Sequence, residues 1–483
     1  MLYDNIPILK SLKEYKDTQS IPFHMPGHKR GKILHKLGLE YLLEDIIEMD
    51  TTEVPGVDNL HSPEGAIMEA QNLAAKAFGA DHTFFLINGT TSGIYAMILA
   101  ATNPGDKILI PRNAHRSAVS GAILGKLQPV YMMPEIDPYM EIPMGITASA
   151  VEKALEQHPD AKAVLITNPT YYGVCSDIEA IARIVHGKGK LLLVDEAHGS
   201  HFYFHEQLPV SAMEAGADMA AQSTHKTLTS MTGSSMLHVK EGRVDLDKLK
   251  FFLQLVQTTS PSHVMLASLD TARYIMEKHG HMLLENCIKY SNKVRNEINN
   301  KSSFYCLAND KIGSYGVHEI DPTRITICLK KGGISGVKGE ELLRSKYNIQ
   351  MEMSDAHNVV AITSVADDEE SYMNLLMAVL DMEQYCNNEE STLYRAEFPH
   401  SLPVSQMTPH EAVYSQVEYI DIEKSPGRIS AEMAVPYPPG IPVLMPGEYI
   451  EKDVIDYLRQ CVDLGIKVSG LSDCRIEKIK VIK

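Results

Sequence analysis

The feature that most limits the fold of this chain is a regular alternation of short apolar runs and helical patterns between Thr83 and Lys226. Parallel strands that are covered on both faces read as nearly continuous apolar runs. The sequence therefore predicts an α/β fold with a mostly parallel sheet and helices on both sides. The predicted strands are 83–88, 107–111, 129–133, 161–167, 190–195 and 218–222, and the predicted helices are 92–101, 115–125, 149–156 and 177–186.

The pattern changes on either side of this region. A helix is predicted from Ser62 to Gly79, because Ser-Pro-Glu-Gly offers a cap and an early proline. Residues 266–300 read as one long helix or two, followed by elements typical of a small α+β domain. These elements are predicted strands at 304–307, 324–329, 350–353 and 359–363, and predicted helices at 339–346, 369–385 and, near the C-terminus, 452–463.

A polar, acidic stretch at 387–390 indicates a domain boundary, and a Pro- and Gly-rich segment follows at 435–449. We therefore predict three domains. They are an N-terminal segment with a large sheet domain (1–275), a small α+β domain (276–390) and a C-terminal domain (391–483).

Composition excludes several classes of protein. The 483 residues carry a net charge of −17 and are 44% hydrophobic, which is too apolar for a disordered chain and too acidic for a typical nucleic-acid binder. No apolar run reaches the ~18–20 residues that span a bilayer, and the N-terminus lacks the apolar core of a signal peptide. The seven cysteines are scattered without a CxxC pair, so we expect reduced thiols in a cytoplasmic protein.

Three polar segments follow predicted strands, at the sheet edge where open α/β folds bind ligands. The first is Asn88–Gly93, with the sequence NGTTSG. Its glycines let the backbone approach an anion, and its hydroxyls and helix N-terminal N–H groups favour one. The segment fits a phosphate cradle, but it is neither a GxGxxG loop nor a P-loop, and a structural turn that caps the helix is an equal alternative.

The other two segments contain an aspartate and a lysine. Asp195 ends a buried strand, where its carboxylate needs a partner such as a cationic heterocycle; a cap on the next turn is the structural alternative. Lys226 follows the strand 218–222 and is a Schiff-base candidate, because desolvation lowers the pKa of a lysine; an exposed loop lysine is the alternative. His198 and His201 make a metal site conceivable, but they lack a clear third ligand, so we predict no metal.

The order of these segments favours one cofactor. Pyridoxal 5′-phosphate needs a phosphate cradle at one end, a carboxylate beside its pyridine nitrogen and a lysine that holds its aldehyde. The segment Asn88–Gly93, Asp195 and Lys226 supply these groups in that order along the chain.

At this point the chain resembles the fold-type-I, pyridoxal-phosphate-dependent Orn/Lys/Arg decarboxylases. The resemblance extends over nearly the whole length of the chain. The chain is similar to the shorter members of the family, which lack the wing domain and include arginine decarboxylases. It rests on the segments FHMPGHKRG (23–31), TEVPGVDNLHSPEGAI (52–67), NGTTSG (88–93), PRNAHRS (111–117), VDEAHGSHF (194–202), QSTHKTL (222–228) and VPYPPGIPVLMPGE (435–448).

The resemblance implies a role for each matching residue. Lys226 would hold the cofactor's aldehyde, Asp195 would pair with the pyridine nitrogen, and His115 would stack on the ring. His198 would lie near the ring's phenolic oxygen. The residues that would hold or neighbour the phosphate are Thr90, Thr91, Ser223 and His225. The sequence departs from the family at Gly233, near which many members have a glutamine.

The implied reaction is the decarboxylation of a basic amino acid, with arginine preferred over lysine and ornithine. A histidine before the Schiff-base lysine is common in such decarboxylases and less so in aminotransferases, and His225 or Lys226 would return the proton to Cα. Glu432 is the candidate for the substrate's distal cation by family position, although an ordinary surface glutamate is equally compatible with its place.

Other functions remain open at this point. They are another pyridoxal-phosphate reaction such as transamination or aldol-type cleavage, a non-catalytic scaffold and a histidine-site metalloenzyme. The resemblance also implies a homodimer or a higher homo-oligomer with sites near the subunit interface. His24, His28 and His61 are candidates to complete a neighbouring site or to pack at that interface. No nucleic-acid or membrane partner is expected.

Overall fold

The computed structural model describes residues 21–23, 27, 29, 32–39, 58–386, 403–437, 441–463, 466–473 and 475–483. The predicted boundary at 387–390 and the residues His24 and His28 lie outside the described residues.

The strands of the first half of the chain are β1 (Ile21–Phe23), β2 (His82–Leu86), β3 (Lys107–Pro111), β4 (Gln128–Met132), β5 (Ile136–Asp137), β6 (Ile142–Pro143), β7 (Ala163–Thr167), β8 (Val174–Cys175), β9 (Leu191–Asp195), β10 (Met219–Gln222) and β11 (Ser235–Val239). The strands of the second half are β12 (Tyr305–Cys306), β13 (Glu319–Ile320), β14 (Arg324–Cys328), β15 (Ile349–Met351), β16 (Met353–Ser354), β17 (Asn358–Ile362), β18 (Val417–Asp421), β19 (Val435–Tyr437), β20 (Lys467–Ser469) and β21 (Lys478–Ile482).

The α-helices are α1 (Lys32–Leu37), α2 (Ala66–Ala77), α3 (Gly89–Ala101), α4 (Arg116–Leu124), α5 (Ala148–Gln157), α6 (Ile178–Gly187), α7 (Thr224–Thr227), α8 (Leu246–Val256), α9 (His263–Lys301), α10 (Gly336–Tyr347), α11 (Glu369–Asp381), α12 (Pro409–Tyr414) and α13 (Lys452–Asp463).

A seven-stranded sheet forms the centre of the large domain, with strand order β2-β11-β10-β9-β7-β3-β4. β11 runs antiparallel to both of its neighbours, and the five strands β10, β9, β7, β3 and β4 are parallel to one another. The predicted α/β class with a mostly parallel sheet is therefore confirmed.

Both faces of this sheet are buried, which is why its inner strands are apolar throughout. One face packs against α3, α4 and α8 through a core that includes Leu193, Ala221 and Leu237. The other face packs against α5 and α6 through a core that includes Leu192 and Val194. Side chains of successive residues point to opposite faces of a strand, so both periodic sets must be apolar here.

One local prediction needs correction, and one open alternative is decided by the structure. The helix predicted from Ser62 begins at Ala66, and its first turn is capped by the carboxylate of Asp58, which accepts hydrogen bonds from the amides of Gly65 and Ile67 (2.8 and 2.9 Å). The region 266–300, left open between one helix and two, is a single helix. This helix also passes through the predicted domain boundary at 275/276, and the three domain ranges stay predictions.

The second half of the chain builds the smaller units. A four-stranded antiparallel sheet, β12-β14-β17-β16, packs with α9, α10 and α11 around one core. The C-terminal residues form the β18–β21 pair and α13 around another core. No helix in the described part of the chain is long and apolar enough to cross a membrane.

Candidate active site

The predicted polar segments meet at one edge of the large sheet. β2 leads into Asn88 and α3, β9 ends at Asp195, and β10 leads into Ser223 and Lys226. Ala221 is the register partner of Asp195, so the ends of β9 and β10 lie side by side. The parallel topology therefore gathers residues that are far apart in sequence.

The first side of this site is the N-terminus of α3. No side chain of the described residues caps this helix; the side chain of its N-cap residue, Asn88, instead accepts from the amide of Thr258 (3.1 Å). Thr90 is buried, and its hydroxyl contacts the Ser223 and Ser235 hydroxyls. Thr91 is half-buried in the same turn. Free helix N–H groups beside hydroxyls form a site that favours a phosphate dianion.

The backbone of Gly233 closes this turn. Its carbonyl accepts a hydrogen bond from the amide of Gly89 at 2.8 Å, and both residues have positive φ angles (90° and 71°) that favour glycine. The departure from the family at Gly233 is thus accommodated by main-chain contacts rather than by a side chain.

Asp195 lies on the floor of the site and is almost fully buried, with 3% of its surface exposed. Among the described residues, its side chain accepts a hydrogen bond from the Ala197 amide alone (3.2 Å). Burial raises the pKa of this carboxyl, against the opposing charges of His115 and Lys226. A buried carboxylate with so few donors is stabilised by a cation placed next to it.

His115 is the N-cap residue of α4, and its Nδ1 accepts from the amide of Ser117 at 3.3 Å. The residue is exposed to solvent. Desolvation lowers the pKa of the ring, while the charge of Asp195 opposes this effect. A neutral ring near Asp195 has a face suited to stacking on a planar heterocycle.

Lys226 lies opposite Asp195, in contact with His198. Its Nζ is 2.9 Å from Nε2 of His198, whose Nδ1 is 3.2 Å from the Arg324 guanidinium. A guanidinium only donates, so Nδ1 accepts and the ring proton of a neutral His198 is on Nε2. That proton then points at the lysine nitrogen, which can accept it only as a neutral amine.

The pKa values of both groups are shifted in the direction that favours this neutral pair. Burial lowers the pKa of Lys226 to about 8, although the charges of Asp195 and Glu352 oppose the shift. Burial and the neighbouring cations hold the pKa of His198 well below its usual value. Lys226 is therefore prepared to act as a nucleophile near neutral pH.

His225 lies on the same short helix as Lys226 and is anchored by its own contacts. Its Nδ1 donates to the carbonyl of Ser234 at 2.7 Å. Its own carbonyl accepts from the amide of Gly27 at 2.6 Å, and the carbonyl of Gly27 accepts from the Ser364 hydroxyl at 2.6 Å. A Cβ atom on Gly27 would lie 2.2 Å from the carbonyl oxygen of Leu228, so the segment containing Gly27 can approach the lysine turn this closely only with glycine.

Three further residues, not predicted from the sequence, lie around His198 and Lys226. Arg324 begins β14, Tyr171 lies after β7, and Glu352 lies between β15 and β16. The ring of Tyr171 contacts that of His198 (4.6 Å between centroids), and its hydroxyl donates to Glu352. These isolated polar residues come from distant parts of the chain, and no local pattern distinguishes them from surface residues.

Other candidates lie elsewhere. The carboxylate of Glu432 is buried and accepts from the amides of Ser472 and Lys480 (2.7 and 2.8 Å), within the C-terminal part of the chain. None of its described contacts joins it to Lys226, and its substrate role stays a prediction. His201 contacts Asp321 rather than His198, and His61 contacts the carbonyl of Thr258 (3.3 and 2.7 Å).

Comparisons with known proteins agree in one direction. The sequence matches the family model described as Orn/Lys/Arg decarboxylase, major domain, over residues 6–371, and the C-terminal domain of the same family over residues 391–473. Arginine decarboxylase of Bacillus anthracis is 42% identical over 479 residues, which cover 99% of this chain and 97% of that protein. Arginine decarboxylase of Bacillus subtilis strain 168 is 39% identical over 478 residues, covering 99% and 98%.

The fold is also found among solved structures. The lysine decarboxylase of Francisella novicida superposes with a TM-score of 0.80 at 22% identity, and the match covers 95% of this chain and 78% of that one. At this level of identity the likeness concerns the fold alone.

Proposed function

The chain belongs to the Orn/Lys/Arg decarboxylase family, and we propose that it decarboxylates L-arginine to agmatine and CO2 with pyridoxal 5′-phosphate bound at Lys226. The observation that carries this proposal is the meeting of Lys226, Asp195 and the uncapped N-terminus of α3 at one sheet edge, in a chain about 40% identical to arginine decarboxylases. Lysine and ornithine are the alternative substrates, and an aminotransferase reaction is more remote.

Buried polar atoms at the site fit this cofactor. The hydroxyls of Thr167, Thr224 and Thr227 are buried, and none of them has a hydrogen-bond partner among the described residues. Thr167 is the register partner of Asp195, and the other two flank Lys226. Buried hydroxyls are rarely left unpaired in a folded protein, so a polar group is expected to contact them.

Pyridoxal 5′-phosphate, when bound, supplies an electron-accepting ring that stabilises the carbanion left by loss of CO2. The residues divide its recognition between them. The first turn of α3, Thr90 and Ser223 would hold the phosphate, and the carboxylate of Asp195 would keep the pyridine nitrogen protonated. His115 would cover the open face of the ring.

His198 has a second task in this scheme. Its Nε2–H, fixed by the contact between Nδ1 and Arg324, points at the lysine amine. The same N–H would donate to the phenolic oxygen of the cofactor, which lies next to the aldehyde carbon. Arg324 therefore sets the tautomer of the histidine that orients the reacting end of the cofactor.

Loss of CO2 breaks the bond between Cα and the carboxylate and leaves an electron pair, to which a proton must be added at Cα. Lys226 and His225 are the two candidate acids on the turn that faces the site. Lys226 has a pKa of about 8, so it can carry the proton and release it near neutral pH. The Nδ1 of His225 donates to the Ser234 carbonyl, so proton exchange by that ring would use Nε2.

A cationic substrate needs an anion in the site. Glu352 is half-buried, accepts from the Tyr171 hydroxyl and raises the pKa of Lys226 through its charge. A guanidinium pairs with a carboxylate through two parallel hydrogen bonds, so a carboxylate near the lysine suits a bound arginine side chain. We infer that Glu352 contributes to the binding of the basic amino acid, and Glu432 remains the candidate predicted from the sequence.

The cofactor assignment is tested by absorption and trapping. Purified protein is expected to show a visible absorption band of the lysine-bound cofactor. Borohydride should remove this band and leave the pyridoxyl group attached to the peptide containing Lys226. Lys226→Ala should lose the band and the label. Lys240→Ala is the matched control, because Lys240 donates to the Gly79 carbonyl away from this edge of the sheet. This variant should retain both the band and the label. A band that survives Lys226→Ala would refute the assignment.

A further inference from the structure

A continuous row of buried polar side chains crosses the large sheet beneath the site. Thr83 on β2, His238 on β11, Gln222 on β10 and Glu196 after β9 occupy four neighbouring strand positions. All four are at most 4% exposed, although the strands around them are apolar. Buried polar groups are costly in such surroundings, so a row of them calls for an explanation.

The row is fully connected by hydrogen bonds. The Thr83 hydroxyl lies 2.8 Å from Nδ1 of His238, and Nε2 of His238 lies 3.0 Å from Oε1 of Gln222. Nε2 of Gln222 donates to the carboxylate of Glu196 at 2.8 Å, and the amide of Ala212 donates to its other oxygen at 2.8 Å.

An ionised Glu196 fixes the direction of every bond in this row. A carboxylate only accepts, so the Gln222 amide must donate to it and present its oxygen to His238. His238 must then carry its proton on Nε2 and accept from Thr83 on Nδ1. The ring is neutral, because burial lowers its pKa to about 3, and it stacks on Phe78 with 4.7 Å between centroids.

The two members of this row nearest the site, Gln222 and Glu196, are neighbours of site residues in the sequence. Glu196 follows Asp195 in sequence, and Gln222 precedes Ser223, which begins the turn with Lys226. Side chains alternate between the faces of a strand, so Asp195 points away from the face that holds Glu196. Anchoring Glu196 and Gln222 to each other therefore fixes the strand ends that present Asp195 and Ser223.

We propose that Thr83, His238, Gln222 and Glu196 form a positioning network that holds the ends of β9 and β10 in the register that the Asp195–Lys226 site requires. The proposal rests on the proposed function for its kinetic part and on the hydrogen-bond geometry alone for its structural part. None of the four residues contacts the reacting atoms, so each is a positioning residue.

The first test reads the tautomer of His238 by nitrogen NMR in Glu196→Gln. The new amide must donate with Nε2, because the Ala212 amide occupies its oxygen, so Gln222 has to turn over and donate to His238. His238 should then move its proton from Nε2 to Nδ1. The comparison is made at about pH 9.5, where wild-type Glu196, with a pKa raised by burial to about 8, is almost fully ionised. An unchanged tautomer would overturn the connected network.

The second test is kinetic. Glu196→Ala removes both acceptors and should lower kcat about tenfold or more with little change in KM, since small displacements of catalytic groups cost large factors in rate. Glu196→Gln should recover most of the loss, because it restores the connected row without the charge.

Gln71→Met is the matched control for these variants. Gln71 is a buried side chain that accepts from the Phe85 amide on β2, without a link to Glu196. We expect it to lower stability while kcat of the folded enzyme stays within about twofold. An equal loss of kcat in Gln71→Met and Glu196→Ala, or a normal kcat in Glu196→Ala, would overturn the positioning role. If wild-type protein released no CO2, the proposed function would fail, and the tautomer test would still decide on the network.

Discussion

A buried ion pair joins the C-terminal residues to the segment that presents His115. Arg112 and Glu448 form two hydrogen bonds of 2.5 and 2.7 Å, with 0% and 1% of their side chains exposed. Arg112 also donates to the carbonyl of Pro442 at 2.9 Å and lies over the ring of Tyr131. We predict that Glu448→Ala detaches the C-terminal residues, because it leaves a buried guanidinium without its counter-ion.

The expected size of this effect follows from the burial. Breaking one partner of a fully buried pair costs about 3–5 kcal/mol, whereas an exposed pair contributes about 0–1 kcal/mol. Because about 1.4 kcal/mol is a factor of ten, amide hydrogen exchange through local opening should accelerate roughly a hundred- to several-thousand-fold. The amides of Val443 and Gly447, which donate to Ala434 and Ser430, report this opening.

Two variants make the measurement decisive. Glu341→Ala breaks the exposed pair of Glu341 with Lys338 (2.8 Å, about half exposed on both sides) and should change exchange only slightly. Arg112→Met combined with Glu448→Leu removes both charges and should recover most of the lost stability. The predicted effect of the buried pair is refuted if Glu448→Ala accelerates exchange at Val443 and Gly447 no more than Glu341→Ala accelerates exchange around Glu341.

Three further predictions follow from the site. Because the pKa of Lys226 is about 8, roughly 10% of its amine is neutral at pH 7, against roughly 0.03% for an ordinary lysine. The rate at which apoprotein takes up pyridoxal phosphate should therefore rise about tenfold per pH unit and level off above pH 8. A rate that still rises steeply at pH 9.5 would contradict this. Glu352→Gln should raise KM for arginine at least about tenfold in steady-state assays, because it removes a carboxylate from the cation's site, and an unchanged KM would exclude the residue from binding. Gly27→Ala should impair activity, since the added Cβ would lie 2.2 Å from a carbonyl oxygen. Gly187→Ala should not impair it, because the Cβ added there would meet no neighbouring atom within 4 Å. Equal activity of the two variants would refute the close approach at Gly27.

Much of the large domain could be predicted from the sequence because its inner strands are buried on both faces. The bounds of β3 and of α13 agree with the predicted ranges 107–111 and 452–463. The strand β11 was missed, and the reason is physical. It carries His238 and Ser235 at buried positions, so it lacks the apolar run by which the other strands are identified.

The site likewise contains residues that could be predicted from the sequence and residues that could not. Asp195 and Lys226 could be assigned because strand ends and motifs place them on one sheet edge. Arg324, Tyr171 and Glu352 could not, since tertiary folding brings them together from separate parts of the chain. The Asp58 cap was likewise missed, because it bridges seven residues to Gly65 rather than the usual two or three.

We propose that this chain removes the carboxylate of arginine through Lys226. The most direct measurement is CO2 release from arginine, lysine and ornithine in parallel, with wild-type protein and Lys226→Ala, and with identification of the amine formed. We predict the highest kcat/KM for arginine, agmatine as the product and no release by Lys226→Ala. A higher kcat/KM for lysine or ornithine would contradict the substrate assignment, and a keto acid without CO2 would contradict decarboxylation itself.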